Sequence, residues 1–310
     1  MRTDTSLSEA ERALALPESR WLDDGGPIHY REWPGPPEGP ISVLVHGLGG
    51  SLLNWALVAP GIATRGRVIA LDLPGFGKTP AEGRGSGVAS GTRTVARFLR
   101  ALDLPPVLLF GSSMGGMVAV QQTAADPESV RGLILADAAL PPVGSALRGV
   151  PADVAVGFLA TGAWKLGPAM LRTRTDRLGA ERMALRTIAY CTAHPDDLDP
   201  AWVTATVEGF RTWSAGPDAA HVFSEACRSI VGAFTLPRPY RRLLAGIRTP
   251  AMVVHGAADR LVPAVNAWHA VREHANWDLV VLPDVGHIPQ VEDPLRFMDV
   301  VGRWMDRAAA

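Results

Sequence analysis

The first chemical signal in the chain is Gly111-Ser112-Ser113-Met114-Gly115, a G-x-S-x-G pattern between the apolar run VLLF and a helical stretch. A nucleophilic serine works from a very sharp turn, where its Oγ clears the backbone and the crowded flanking positions admit only glycine. The centre of the pattern selects Ser113 over Ser112. A serine hydroxyl needs a base, and the base needs a carboxylate to orient it. In the order Ser…Asp…His, Asp259 follows the run MVV in VVHGAADRLVP, and His287 follows the run LVVL in LPDVGH. Asp259 also reads as the cap of a helix opening at Pro263. Asp137, at the end of LILA, is the rival acid, and Asp284 reads as a turn residue. Among eight histidines, His287 has a glycine before it, a strand end beneath it and the right place in the order.

A tetrahedral oxyanion needs donors. The helix after Ser113 turns its first N–H groups and its positive end toward the reacting centre. Val45-His46-Gly47-Leu48-Gly49-Gly50 ends an earlier strand and supplies a second donor. The expected pair is the backbone N–H groups of Leu48 and Met114, with His46 ordering the loop rather than acting as base. Two nucleotide motifs fail. Gly75-Phe76-Gly77-Lys78-Thr79 ends like a phosphate loop, but its first glycine position is Asp72. Gly47-Leu48-Gly49 begins a dinucleotide fingerprint whose third glycine position is Leu52. No His, Asp or Cys cluster has metal-ligand spacing, so neither metal nor cofactor is expected.

These residues must be carried by strands and helices. Six apolar runs, at 41–45, 68–71, 107–110, 133–136, 252–254 and 279–282, show no polar alternation. That is the pattern of parallel strands covered on both faces. Strands at 20–22 and 29–33 around Asp23-Asp24-Gly25-Gly26-Pro27 read as an antiparallel hairpin ahead of them, giving eight strands. Helices are expected at 94–102, 114–125 and 263–274, and from a cap at Asp293 with Pro294 to the C-terminus. Ser6-Leu7-Ser8-Glu9 has capping-box spacing for a short helix reaching Leu16. The glycine-rich tract 81–92 reads as a loop. Between Ala136 and Met252 the connection is far longer than a crossover requires. It contains helical patterns at 179–193, 199–214 and 219–236, with Pro141-Pro142 as exit and Pro237 to Pro239 as return. The expected division is a core of 1–140 and 237–310 with an inserted helical lid at 141–236.

Composition narrows the partners. The 310 residues hold 30 basic and 31 acidic side chains for a net charge of −1, with 47% hydrophobic and 20% charged residues. A sizeable core is possible, and no basic excess suits nucleic acid or an anionic surface. Cys191 and Cys227 are too few for a disulfide scaffold and read as two buried thiols. The uncharged stretches 41–64 and 104–125 are interrupted by glycines and polar residues, so they read as buried strand–turn–helix units rather than membrane spans. The first 18 residues carry charges throughout and do not read as a signal peptide, which makes cytoplasm the expected location.

VLVHGLGG, ALDLPGFGKT, GSSMGG, VVHGAADRLVP and VGHIPQVEDP, in this order across 20–135 and 248–307, resemble the α/β-hydrolase superfamily. The resemblance implies an α/β-hydrolase fold with a mostly parallel eight-stranded sheet, helices on both faces and an inserted lid. Lidded carboxylesterases and lipases are similar, as are enol-lactone hydrolases and the hydrolases that cleave C–C bonds of ring-opened aromatic diketones. Relatives that use aspartate at the elbow differ here, at Ser113; C–C hydrolases usually place tryptophan after the base, where this chain has Ile288. A ligand-binding receptor on the same fold is the alternative outside catalysis. The implied activity is acyl transfer from a small-molecule ester. The apolar lid, with few cations in helical register, is expected to roof the pocket with Phe158, Trp164, Met170, Phe210 and Trp213, Ile288 lying beside the base. The sequence is silent on oligomeric state.

Overall fold

The computed structural model describes residues 7–142 and 150–309. A short helix α1 (Glu9–Ala13) leads into the hairpin β1 (Arg20–Asp23) and β2 (Pro27–Trp33). Then come β3 (Ser42–Val45), α2 (Ala59–Ala63), β4 (Val68–Leu71), α3 (Val88–Ala101), β5 (Val107–Ser112), α4 (Met114–Ala125) and β6 (Val130–Ala136). Among the described residues, six α-helices follow without a strand: α5 (Ala152–Gly162), α6 (Leu166–Leu178), α7 (Ala180–Cys191), α8 (Pro200–Ser214), α9 (Ala219–Thr235) and α10 (Pro237–Ala245). The chain closes with β7 (Ala251–Gly256), α11 (Ala264–Arg272), β8 (Trp277–Leu282), α12 (Pro289–Glu292) and α13 (Pro294–Ala309).

The eight strands form one sheet in the order β1-β2-β4-β3-β5-β6-β7-β8. β2 runs antiparallel to β1 and β4; the pairings from β4 to β8 are parallel. Each apolar run feeds two cores because side chains alternate across a strand. Val43, Val45, Leu109, Leu133 and Val253 face the layer built by α3, α4 and α11. Leu44, Phe110, Ile134, Met252 and Val254 face α2 and α13, where Phe297 and Trp304 are buried. A fully buried side chain of this size contributes about 1.5–3 kcal/mol, so neither face tolerates polar alternation.

Several local expectations shift. The capping box is closed by Ser8 and Glu11, two residues later than the Ser6–Glu9 reading, and Ser6 lies outside the described residues. Helix α3 begins at Val88, inside the glycine-rich tract, because Val88 and Gly91 are buried and Gly91 lets Val118 of α4 and Leu73 approach. Burial of that face outweighs the poor helix propensity of glycine. The expectation for 133–136 grows to seven residues in β6. In the inserted region α5, α6 and α10 add to the three expected helices; Pro237 opens α10 instead of marking a direct return to the sheet, as proline suits a first helical turn. Residues 143–149, at the expected lid entrance, lie outside the described residues. Among the described residues no single helix is long and apolar enough to cross a membrane. Cys191 and Cys227 are free thiols, and burial pushes each up to about 12.

Candidate active site

Register aligns the strand ends that matter. Val45 pairs with Gly111, Gly111 with Leu135, Ala136 with Val254 and Gly256 with Leu282. The loops bearing Leu48, Ser113, Asp137, Asp259 and His287 therefore leave the same, C-terminal edge of the sheet, where open α/β sheets place their sites. A shallow cleft of about 410 Å³ beside Arg131, Asn276 and Asp278 lies at the opposite edge and contains no serine, cysteine or histidine.

Ser113 stands at the tip between β5 and α4 with φ 52° and ψ −116°. A non-glycine residue there stores roughly 1–3 kcal/mol of strain, which the surroundings must hold in place. They do so through the backbone. Ser113 N–H donates to Ala136 O at 3.1 Å, and its carbonyl accepts from Ala139 N–H at 3.0 Å. A side chain at Gly111 would meet Gly116 Cα at 2.7 Å, and one at Gly115 would press on the Val45 and His46 carbonyls. On the other side, a Cβ at Gly47 would lie 3.6 Å from Ser113 Oγ, so the β3 loop passes directly beside the hydroxyl. Among the described residues, the backbone N–H groups of Leu48 and Met114 donate to no protein acceptor.

His287 Nδ1 donates to Asp259 Oδ2 at 2.7 Å, with the carboxylate wholly buried and the ring nearly so. Asp259 Oδ1 accepts the N–H groups of Leu261 at 2.7 Å and Val262 at 3.0 Å. Burial alone would raise the Asp259 carboxyl; the charge and hydrogen bond of His287, helped by His255, outweigh it and hold the group below the ordinary aspartate value. With Nδ1 committed to the carboxylate, Nε2 is the imidazole nitrogen that can accept a proton. No hydrogen bond joins Ser113 Oγ to His287 Nε2 among the described residues; such contacts often tighten only around substrate. The base loop is tied to the elbow by Gln290 Nε2, which donates to Ser112 Oγ at 3.3 Å.

Sequence reasoning missed Glu292. Its carboxylate accepts N–H groups from Gly286 at 2.6 Å, Ala193 at 2.7 Å and His194 at 2.8 Å, and Cys191 O accepts from His287 N–H at 2.6 Å. The end of α7 is thereby strapped to the base loop. Nothing in the spacing of 193 and 292 announces it. Asp72, rejected as part of a phosphate loop, has a structural task. It accepts Leu52 N–H at 2.7 Å, Lys78 N–H at 2.9 Å and His29 Nδ1–H at 2.7 Å. Burial would raise its carboxyl; His29 and these bonds outweigh burial and hold it low. His46 spends both ring nitrogens, donating to Gly47 O and accepting from Leu73 N–H, and burial lowers its basicity.

The lid residues divide. Trp213 stacks on Phe76 at 6.1 Å and donates Nε1–H to Gly75 O at 2.7 Å, with Phe210 5.5 Å and Phe223 6.4 Å away. A Cβ at Gly49 would touch the Phe223 ring at 2.6 Å, so this aromatic group closes over the Leu48 loop. Phe223 was not singled out in the sequence, where it is one apolar residue of the α9 pattern. Phe158 is half-buried, its carbonyl against Cys227. Trp164 and Met170 stay outside the cluster, 72% and 39% exposed, with Arg228 4.7 Å over the Trp164 ring. Ile288 is buried beside His287. The expectation of a lid poor in cations is corrected: α6 and α7 carry Arg172, Arg174, Arg177, Arg182 and Arg186, all exposed. In α7 Met183, Ala184 and Ile188 take the covered face and leave Arg182 and Arg186 to solvent.

The family profile described as alpha/beta hydrolase fold matches residues 43–294. The chain is 30% identical over 275 residues to the dihydrolipoyllysine-residue acetyltransferase component of the acetoin cleaving system of Pseudomonas putida, a match covering 88% of this chain but only 62% of that protein. It is 26% identical over 266 residues to the pimeloyl-acyl-carrier-protein methyl ester esterase of Aeromonas hydrophila, covering 85% of this chain and 94% of that one. The structure superposes on the meta-cleavage product hydrolase of Pseudomonas fluorescens with a TM-score of 0.73 and 20% identity, over 95% of this chain and 99% of the other. Identity that low speaks for the fold alone.

Proposed function

Since the chain belongs to the alpha/beta hydrolase family, we propose that it is a serine hydrolase cleaving carboxylic esters of short to medium acyl chains through an acyl-enzyme. Ser113 Oγ attacks the ester carbonyl while His287 Nε2 takes its proton. Asp259 fixes the imidazole tautomer and stabilises the imidazolium, and the N–H groups of Leu48 and Met114 stabilise the oxyanion. His287 then protonates the departing alcohol, and a water molecule repeats the sequence on the acyl-enzyme. The observation that carries this reading is the 2.7 Å bond between a buried Asp259 and His287 Nδ1, on the sheet edge where Ser113 is held in a strained elbow.

The preference for uncharged acyl chains follows from the aromatic group around Trp213 and from Ile288, which offer burial rather than ion pairing. Burying each methylene is worth about 0.8 kcal/mol, so kcat/KM should rise about fourfold per added carbon until the pocket is full. The test compares kcat/KM on p-nitrophenyl butyrate with that on a ring-opened aromatic diketone acid, alongside labelling by a serine-directed organophosphonate. The ester is expected to be preferred, with the label on Ser113. A tenfold advantage for the diketone would replace the ester reading with C–C bond hydrolysis.

A further inference from the structure

A second carboxyl lies against Asp259. Asp137 follows β6 with φ 43°, a left-handed conformation that aspartate and asparagine accept more readily than other side chains. Its position is a joint. Ala136 before it and Ala139 two residues after it hold the Ser113 backbone, while Asp137 N–H donates to Val254 O at 2.9 Å and its Oδ1 accepts Gly256 N–H at 2.9 Å. The side chain is fully buried, and its carboxyl lies within 4.8 Å of that of Asp259. Its Oδ2 is buried with no hydrogen-bond partner among the described residues. His255 Nε2 lies 3.3 Å from Asp137 Oδ1 and 3.5 Å from Asp259 Oδ2, and donates to Val262 O at 2.9 Å.

Two buried carboxyls this close cannot both be ionised. Asp259 has an imidazole and two backbone N–H groups to stabilise its charge; Asp137 has one backbone N–H. The proton therefore belongs on Asp137. We propose that Asp137 is a positioning residue for the site put forward above: it donates its carboxylic O–H to Asp259 and fixes that carboxylate on His287. The proposal rests on Asp259 and His287 acting as orienting acid and base. Burial, then the charge of Asp259, holds Asp137 well above the ordinary aspartate value, with Glu292 of α12 adding to it. His255 is kept neutral by burial, and the Cys191 thiol, also near Asp259, is raised by burial too. A metal ion shared by Asp137, His255 and Asp259, whose ligand atoms lie within 4.8 Å of one another, would need Asp137 ionised and would compete with His287.

Asp137→Asn separates these possibilities, because the amide keeps a neutral donor toward Asp259, an acceptor for Gly256 N–H and tolerance of the left-handed backbone. It is expected to keep kcat on p-nitrophenyl butyrate within about threefold, whereas Asp137→Ala loses about tenfold or more at little change in KM, the worth of one hydrogen bond to a charged group. The infrared difference between wild type and Asp137→Asn at about pH 7 is expected to contain the carbonyl band of a protonated carboxylic acid. Absence of that band, or an Asp137→Asn loss as deep as that of Asp259→Asn, would show an ionised Asp137 and overturn the proposal. Equal activity in the Asn and Ala variants would overturn it as well. If Asp137→Ala does not fold, the Asn variant and the spectrum carry the test. The band does not depend on ester turnover, so a chain inactive on esters would defeat the ester reading while Asp137 is still tested.

Discussion

Asp259→Asn tests the orienting acid with almost no change of shape. The amide oxygen replaces Oδ1 and keeps the Leu261 and Val262 N–H groups at 2.7 and 3.0 Å, so the loop stays in place. The amide nitrogen replaces Oδ2, 2.7 Å from His287 Nδ1. A donor at that point makes Nδ1 the acceptor and puts the ring proton on Nε2, which can then no longer receive the proton of Ser113. The expected loss in kcat is about 10⁴-fold, or about 5 kcal/mol of barrier. The structural loss is smaller. One charge-assisted hydrogen bond is worth about 1.5–3 kcal/mol, so the melting temperature should fall by less than about 10 °C. Steady-state hydrolysis of p-nitrophenyl butyrate and calorimetry on the same preparation separate the two effects. A folded variant keeping more than about a tenth of wild-type kcat would refute the assignment of Asp259, and Asp137 would be the next acid to test.

Ser113→Ala should lose about 10⁴-fold or more in kcat and all organophosphonate labelling, while Ser112→Ala, whose hydroxyl accepts from Gln290, keeps most activity; equal losses would mean that the elbow has been misread. Asp72→Asn should cost about 2–4 kcal/mol in urea melts at neutral pH. Because the folded-state value of Asp72 is depressed below 3.8, its stabilisation is complete above that value and fades as pH falls, so the gap to wild type should narrow as pH falls below about 4; a widening gap contradicts the assignment. Glu292→Ala frees three N–H groups of the base loop and the α7 end, and should lower kcat/KM about tenfold while the thermal transition remains cooperative; unchanged kinetics would show that the strap does not hold the base.

The sequence by itself determined the strands, the sharp turn at Ser113 and the order of the candidate site residues. Each rests on a local requirement. Val43, Leu44 and Val45 must be apolar in succession because both faces of β3 are covered. Gly111 and Gly115 must be glycines because backbone passes where a Cβ would stand. Asp293 and Pro294 open the last helix by capping chemistry that needs no distant partner. Only the tertiary structure decided what lies between residues far apart in the chain. The strap from Glu292 to Ala193, the aromatic group joining Phe76, Trp213 and Phe223, and the meeting of Asp137 with Asp259 span gaps of about a hundred residues that no period or spacing encodes. The same is true of the lid. Its helices bury mostly small or scattered apolar residues, so α5 and α6 give a weak pattern, and which of Phe158, Trp164, Met170, Phe210 and Trp213 is covered depends on how α9 packs against the core. Asp137 was legible as an acid at a strand end, but its role turns on where a proton resides, and that is set by burial and by a neighbouring charge brought close only by folding.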